Sequence, residues 1–292
     1  MYTHCWIQDT KRFSFITKVM ADNKKIDFKL KSNIGSLEFG KPFISGPRGI
    51  AYRSSDNLLF IADSKNERVV GFTEDNKLAK IISHYGMKNG LCVMSNGQLL
   101  MTDEIQIVLL NNDLRLIRTF GQDDIDAGFT NYQGICVDSN DLIYVCDQAT
   151  RQIKVYDPKT LSIVRFFGNK NLFSSLAYCT VSNDYCFITD PQGSCVHQFT
   201  IDGQFVSRFG NETTEYFQTP LSSPRGIMPI NNNKHLLVAD SHNDRLVVFD
   251  NDGKCVQLIT ERIDYPESLA TNKNEDIFVT MRDTIGLFST KN

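Results

Sequence analysis

Hydrophobic residues in this chain come in short runs rich in β-branched and aromatic side chains, such as Leu59-Phe60-Ile61-Ala62, Tyr144-Val145-Cys146, Leu236-Leu237-Val238-Ala239 and Ile277-Phe278-Val279. Turn-forming residues lie between the runs, among them Asp202-Gly203 and Asn251-Asp252-Gly253-Lys254, which suit tight hairpin loops. Helical periodicity is missing throughout, so a helical solenoid fails and antiparallel strands are predicted along the chain.

The runs belong to a repeat. Pro47-Arg48-Gly49-Ile50, Leu59-Phe60-Ile61-Ala62-Asp63-Ser64 and Arg68-Val69-Val70-Gly71-Phe72 return as Pro224-Arg225-Gly226-Ile227, Leu236-Leu237-Val238-Ala239-Asp240-Ser241 and Arg245-Leu246-Val247-Val248-Phe249. Weaker copies begin at Asn89-Gly90-Leu91 and Gln133-Gly134-Ile135, and two more, at Ser175-Leu176-Ala177 and Glu267-Ser268-Leu269, have lost the glycine. Markers at 49, 90, 134, 175, 226 and 268 are separated by 41, 44, 41, 51 and 42 residues. A unit of that length holds four antiparallel strands and cannot bury its own sheet faces, which is the period of a propeller blade.

The expected fold is all-β, a six-bladed β-propeller over residues 34–292 with the six markers on the innermost strands. The last unit ends without an outer strand, and Ser36-Leu37-Glu38-Phe39-Gly40 matches the ends of other units, so residues 36–39 are expected to pair with 285–288 and close the ring. Residues 1–33 are read as an N-terminal hairpin extension. The alternative makes them a degenerate, three-stranded seventh blade.

Composition narrows the function classes. The chain has 292 residues, 41% hydrophobic and 22% charged, with a formal net charge of −3, which excludes disorder and gives no bulk signal for nucleic acid. Eight cysteines without a C-x-x-C pair read as reduced strand residues. The first residues lack a basic segment followed by an apolar one, and no run is long enough to span a bilayer, so a cytoplasmic protein without membrane contact, monomeric as an isolated domain, is expected.

The pattern P-x-G-[I/L], an apolar run ending in Ala/Thr-Asp-Ser, then Asn66-Glu67-Arg68-Val69 or Asn243-Asp244-Arg245-Leu246, resembles the NHL repeat, strongly in two units and by shape in four. The resemblance covers about residues 34–288; units two, four and six lack the Asn-x-Arg step. It implies a six-bladed binding platform like the C-terminal domains of TRIM-NHL proteins, which bind single-stranded RNA or recognise protein partners. The chain has no RING or B-box ligand spacing, so any part in a ubiquitin ligase complex would be as the substrate arm.

Antiparallel neighbours put the start of each first strand and the end of each second strand at one rim. The rim should gather Arg48, Lys65, Lys88, Asn89, Gln133, Gln148, Arg225, His242 and Arg282, with the aromatics Tyr132 and Phe217 in the connections entering the blades. Cations for phosphates, amides for base edges and aromatics for stacking suit single-stranded RNA, whereas the overall acidity suits a protein partner. Asp63, Asp103, Asp147, Asp190 and Asp240 recur as turn residues that accept backbone N–H groups rather than as metal ligands. Histidines 4, 84, 197, 235 and 242 fall at unrelated phases of the repeat, and no nucleophile or phosphate-loop motif is present. The chain is therefore read as non-catalytic, without metal or cofactor; a metal-dependent propeller lyase or lactone hydrolase is the remote alternative.

Overall fold

A computed structural model of the chain describes residues 26, 28–34, 37–38, 41–83, 89–122, 130–214 and 217–290. Six four-stranded antiparallel sheets follow one another along the chain, plus a two-residue ladder between Leu37–Glu38 and Lys41–Pro42. Blade 1 runs Pro47–Arg53, Leu58–Asp63, Arg68–Phe72 and Leu78–Ser83, from the inside outward. Blade 2 starts on Leu91–Val93, blade 3 on Tyr132–Val137, blade 4 on Cys179–Ser182, blade 5 on Pro224–Ile230 and blade 6 on Leu269–Thr271. Each of these inner strands lies beside the inner strands of the two adjacent blades, so the ring is complete. No described helix is long and apolar enough to cross a membrane.

The unbroken apolar runs follow from this geometry. Middle strands are covered on both faces by neighbouring blades, and Leu58–Asp63 is buried at every position, whereas the outer strand Leu78–Ser83 is mostly exposed. The core is accordingly six clusters, one between each pair of blades. Phe60, Ala62 and Val69 meet Leu99, Met101 and Val108 between blades 1 and 2, and Phe187 and Val196 meet Leu236, Val238 and Phe249 between blades 4 and 5.

At the inside, the markers explain themselves. A Cβ on Gly49 would lie 2.5 Å from the Asn89 carbonyl oxygen and 2.8 Å from the Leu91 nitrogen, and one on Gly134 would lie 2.6 Å from the Tyr178 Cα. Gly90 abuts Gln133 and Ile135 in the same way, and Gly226 abuts Ser268. The equivalent residue in blade 4 is thus Tyr178, not Ser175, which lies three residues earlier and outside the inner strand. Threonines fix the register: Thr102, Thr189 and Thr280 accept the N–H of Gly90, Tyr178 and Ser268 at 2.8, 3.0 and 2.8 Å.

The ring closes by pairing the two chain ends, though with a different N-terminal segment. Lys29–Ile34 pairs antiparallel with Thr284–Ser289, placing Leu30 opposite Phe288 and Ile34 opposite Ile285. Residues 37–38 instead form the small ladder with 41–42. Apolar drive explains the choice: Ile34 is buried between blades 6 and 1, and Ile26, Phe28 and Leu30 pack against the cluster between blades 5 and 6. The strand therefore completes blade 6 instead of building a seventh, and the propeller reaches at least to Lys29, N-terminal of the expected start at 34. The proposed hairpin partner around Arg12–Ile16 lies outside the described residues.

Gly49→Ala should destabilise the fold by about 1–3 kcal/mol, because the new methyl meets backbone that cannot rotate away. Chemical denaturation of the variant checks this; an unchanged midpoint would contradict the close approach.

Candidate functional site

Along the axis at one end of the ring, blades 1, 5 and 6 surround a cavity of about 420 Å³ lined by Gly46, Pro47, Arg48, Ser64, Lys65, Arg225, Tyr265, Glu267, Met281 and Arg282. Four of the expected rim residues, Arg48, Lys65, Arg225 and Arg282, come together here. Repeat geometry places them: Arg48 and Arg225 stand one residue before the axial glycines of blades 1 and 5, and Lys65 follows the Asp63 turn. Gly46 at φ +56° lets the Lys65 chain pass, its Cγ only 3.0 Å from where a Cβ would sit.

Charge in the cavity is unbalanced. Arg48 donates through Nη1 to the neutral Asn89 amide at 2.8 Å. Lys65 makes no ion pair among the described residues. Arg282 is exposed, 3.3 Å from Asp264, and its guanidinium lies 5.5 Å from the Tyr265 ring. The lining carboxylate, Glu267, stands 3.5 Å from Arg225, whose Nε is buried without a partner. Burial pushes the Glu267 carboxyl above its ordinary range against the pull of Arg225, Arg48 and His242. Tyr178 shares these neighbours. Burial, and after it the Glu267 charge, raises its phenol, while Arg225, Arg48 and a hydrogen bond with Ser268 oppose the rise.

The remaining expected residues do other work. Tyr132 is wholly buried, its hydroxyl donating to the Gly121 carbonyl at 2.8 Å and lying 3.1 Å from Tyr156 Oη. Phe217 is likewise buried, packed edge-on against Phe249 with Arg245 over its face. Neither ring is available to stack on a base, because each fills the wedge between two blades. Asn89 is buried, donating to the Tyr132 carbonyl while accepting from Arg48. Gln133 donates to Asn131, and the Gln148 side-chain oxygen accepts the Leu176 N–H. His242 is exposed beside the cavity, with Nε2 3.2 Å from Tyr265 Oη. Lys88 lies outside the described residues.

Three of the recurring aspartates accept backbone N–H groups of the turns and blade entries. Asp63 accepts from Ser45 N, Asn66 and Arg68, and Asp240 from Ser222 N, Asn243 and Arg245. Asp147 accepts from Asn131 N, Ala149 N and Thr150 and is 3.1 Å from Lys154 Nζ.

Tyr178 was missed because the blade 4 marker was set at Ser175. The signal lay in the threonines. Gly90 and Ser268 each precede theirs by 12 residues, and the same count back from Thr189 gives 177, beside Tyr178.

No family model matches the chain, and no curated protein matches it. Solved structures do. A streptogramin B lyase aligns over 90% of this chain and 97% of its own at 17% identity and a TM-score of 0.66. A catalytically inactive virginiamycin B lyase from Staphylococcus aureus with quinupristin aligns over 90% and 99% at 16% and 0.67. A gluconolactonase from Xanthomonas campestris aligns over 84% and 86% at 15% and 0.69. The likeness is one of fold. At such identities it carries no substrate or residue role to this chain.

Glu267→Gln tests the electrostatics of the cavity. The folded-state pKa is raised, so the carboxyl's contribution to stability is full below its unfolded value of about 4.3 and is lost as pH rises through the folded pKa. Relative to wild type, the variant should gain thermal stability from acid to neutral pH; a difference independent of pH would contradict the shift.

Proposed function

We propose that this chain is a non-catalytic, NHL-like binding platform that recognises a protein partner by seating an acidic side chain or a terminal carboxylate in the axial cavity. The observation that carries the reading is the arrangement of Arg48, Lys65, Arg225 and Arg282 around a carboxyl that burial displaces toward neutrality. Fixed cations at the end of a ring focus an anion onto one point, and a protonated Glu267 could donate a hydrogen bond to it.

RNA is less well served. Its sequence-tolerant grip depends on exposed aromatic platforms, and Tyr132 and Phe217 are interior. Tyr265, the aromatic that lines the cavity, is held between His242 and Arg282. The overall charge of −3 further favours a local anion pocket over a long phosphate track.

The test is an array of acidic peptides, with internal Asp/Glu or free C-terminal carboxylates, run beside a pool of random single-stranded RNAs. Peptide binding should weaken at least about tenfold, or about 1.4 kcal/mol, in the Arg48→Ala/Arg225→Ala double variant, and strengthen as pH falls toward the Glu267 pKa. The acid-side gain should vanish in Glu267→Gln. Binding of RNA alone would replace the reading with the RNA one, and turnover of a lactone or of a streptogramin B by wild type would overturn its non-catalytic part.

A further inference from the structure

Blade 4 departs from the other units at two equivalent positions of its third strand. Opposite the turn aspartate, where blades 1 and 5 carry Arg68 and Arg245, blade 4 carries Cys195 across from Asp190. Two residues on, where those blades carry Val70 and Val247, it carries His197 across from Ile188. Alternation along a strand turns both side chains to the same face. The arginine clamp is thus exchanged for a thiol and an imidazole.

These groups converge. His197 Nε2 lies 3.3 Å from Cys195 Sγ and 3.4 Å from Asp190 Oδ2, and one ligand atom from each of the three residues falls within 4.8 Å of the others. Tetrahedral zinc with bonds of about 2.3 Å to sulfur and about 2.0–2.1 Å to nitrogen and oxygen separates its ligand atoms by roughly 3.3–3.6 Å, and both close separations match. All three residues are buried, at 1%, 2% and 2% exposure. The carboxylate is already oriented by Ser174 N, Ser175 N, the Ser175 hydroxyl and Gly193 N, the outer support a metal-binding carboxylate needs. The imidazole ring is set against Phe173 at 4.7 Å with Nε2 toward Asp190 and Cys195, and its Nδ1 is buried without a partner among the described residues.

We propose that Asp190, Cys195 and His197 form a structural Zn²⁺ site in blade 4. The thiol loses its proton to solvent on binding, and the imidazole ligates through Nε2 as the neutral ring with its proton on Nδ1. Carboxylate, thiolate and Zn²⁺ then sum to zero charge, the condition a buried cluster needs. Blade 3 shows the metal-free solution at the same positions: Gln152 faces Asp147, and Lys154, opposite Val145, supplies the cation. Blade 4 carries neither lysine nor arginine at these two positions.

The experiment uses the whole chain, reduced and stripped with a chelator, and titrates it with Zn²⁺ alone by calorimetry and with Co²⁺ in the spectrophotometer. One equivalent of Zn²⁺ should bind and raise the thermal midpoint, and Co²⁺ should give a thiolate charge-transfer band. Cys195→Ser should abolish the band and weaken Zn²⁺ at least tenfold. His197→Lys, which reproduces the cation of blade 3, should keep the native circular dichroism and lose the metal. Absence of the band and of the thermal shift in wild type would overturn the site. So would a band that survives Cys195→Ser but disappears in Cys136→Ser, because Cys136 and Cys179, with sulfurs 3.5 Å apart, would then be the ligands.

Discussion

Six sheets can share one axis only if their inner strands touch through backbone. Gly49 against Asn89 and Leu91, and Gly134 against Tyr178, are the contacts that make this approach, and each leaves less room than a methyl group requires. From that constraint the wedge shape follows: close at the axis, widening outward, with a cluster of apolar side chains filling each gap. It also builds the cavity. Where blade 4 puts Tyr178 at the axial position, its buried phenol feels the charges of Glu267, Arg225 and Arg48, which come from blades 6, 5 and 1. The residues beside the axial contacts also line the cavity, so a change at the axis alters both packing and the charge around it.

The turn aspartate is the second fixed element. Its carboxylate ties the entry of blades 1, 3, 4 and 5 to the turn after the second strand, and what completes the pairing differs from blade to blade: Arg68 and Arg245 in the intact units, Gln106 in blade 2, Lys154 in blade 3, His197 in blade 4. In blades 1 to 5 the carboxylate is kept and the side chain that answers it changes. In blade 4 several donors offset its burial, among them His197, Gly193 N, Ser174 N and the Ser175 hydroxyl, and together they hold it below its usual range.

Repetition made most of the fold legible. Glycine, turn aspartate and apolar run recur with spacings that only a ring of four-stranded blades satisfies, and Arg48, Lys65, Arg225 and Arg282 could be placed at one end from strand direction alone. Single-blade departures were not legible. Tyr132 and Phe217 occupy loop positions in the sequence, yet their depth is set by neighbouring blades that only tertiary packing brings near. Cys195 and His197 looked unremarkable because each was weighed by type, whereas their meaning lies in the strand register opposite Asp190. The closing strand was displaced for a similar reason: residues 36–39 match the blade-end motif, but 29–34 bring the side chains that fit the remaining gap.

The pairing of Lys29–Ile34 with Thr284–Ser289 also sets a timetable. A ribosome adding roughly 5–20 residues per second releases the first of these strands about 12–50 s before its partner exists. Throughout that interval five blades can assemble while the strand Lys29–Ile34 waits unpaired, the state in which sheet edges recruit the wrong neighbour. Lys29 and Lys31 sit on that strand, and Lys31 later pairs with Asp276 at 2.6 Å. A lysine on an unpaired edge disfavours pairing with another chain, so the same side chain serves the strand before and after its partner arrives.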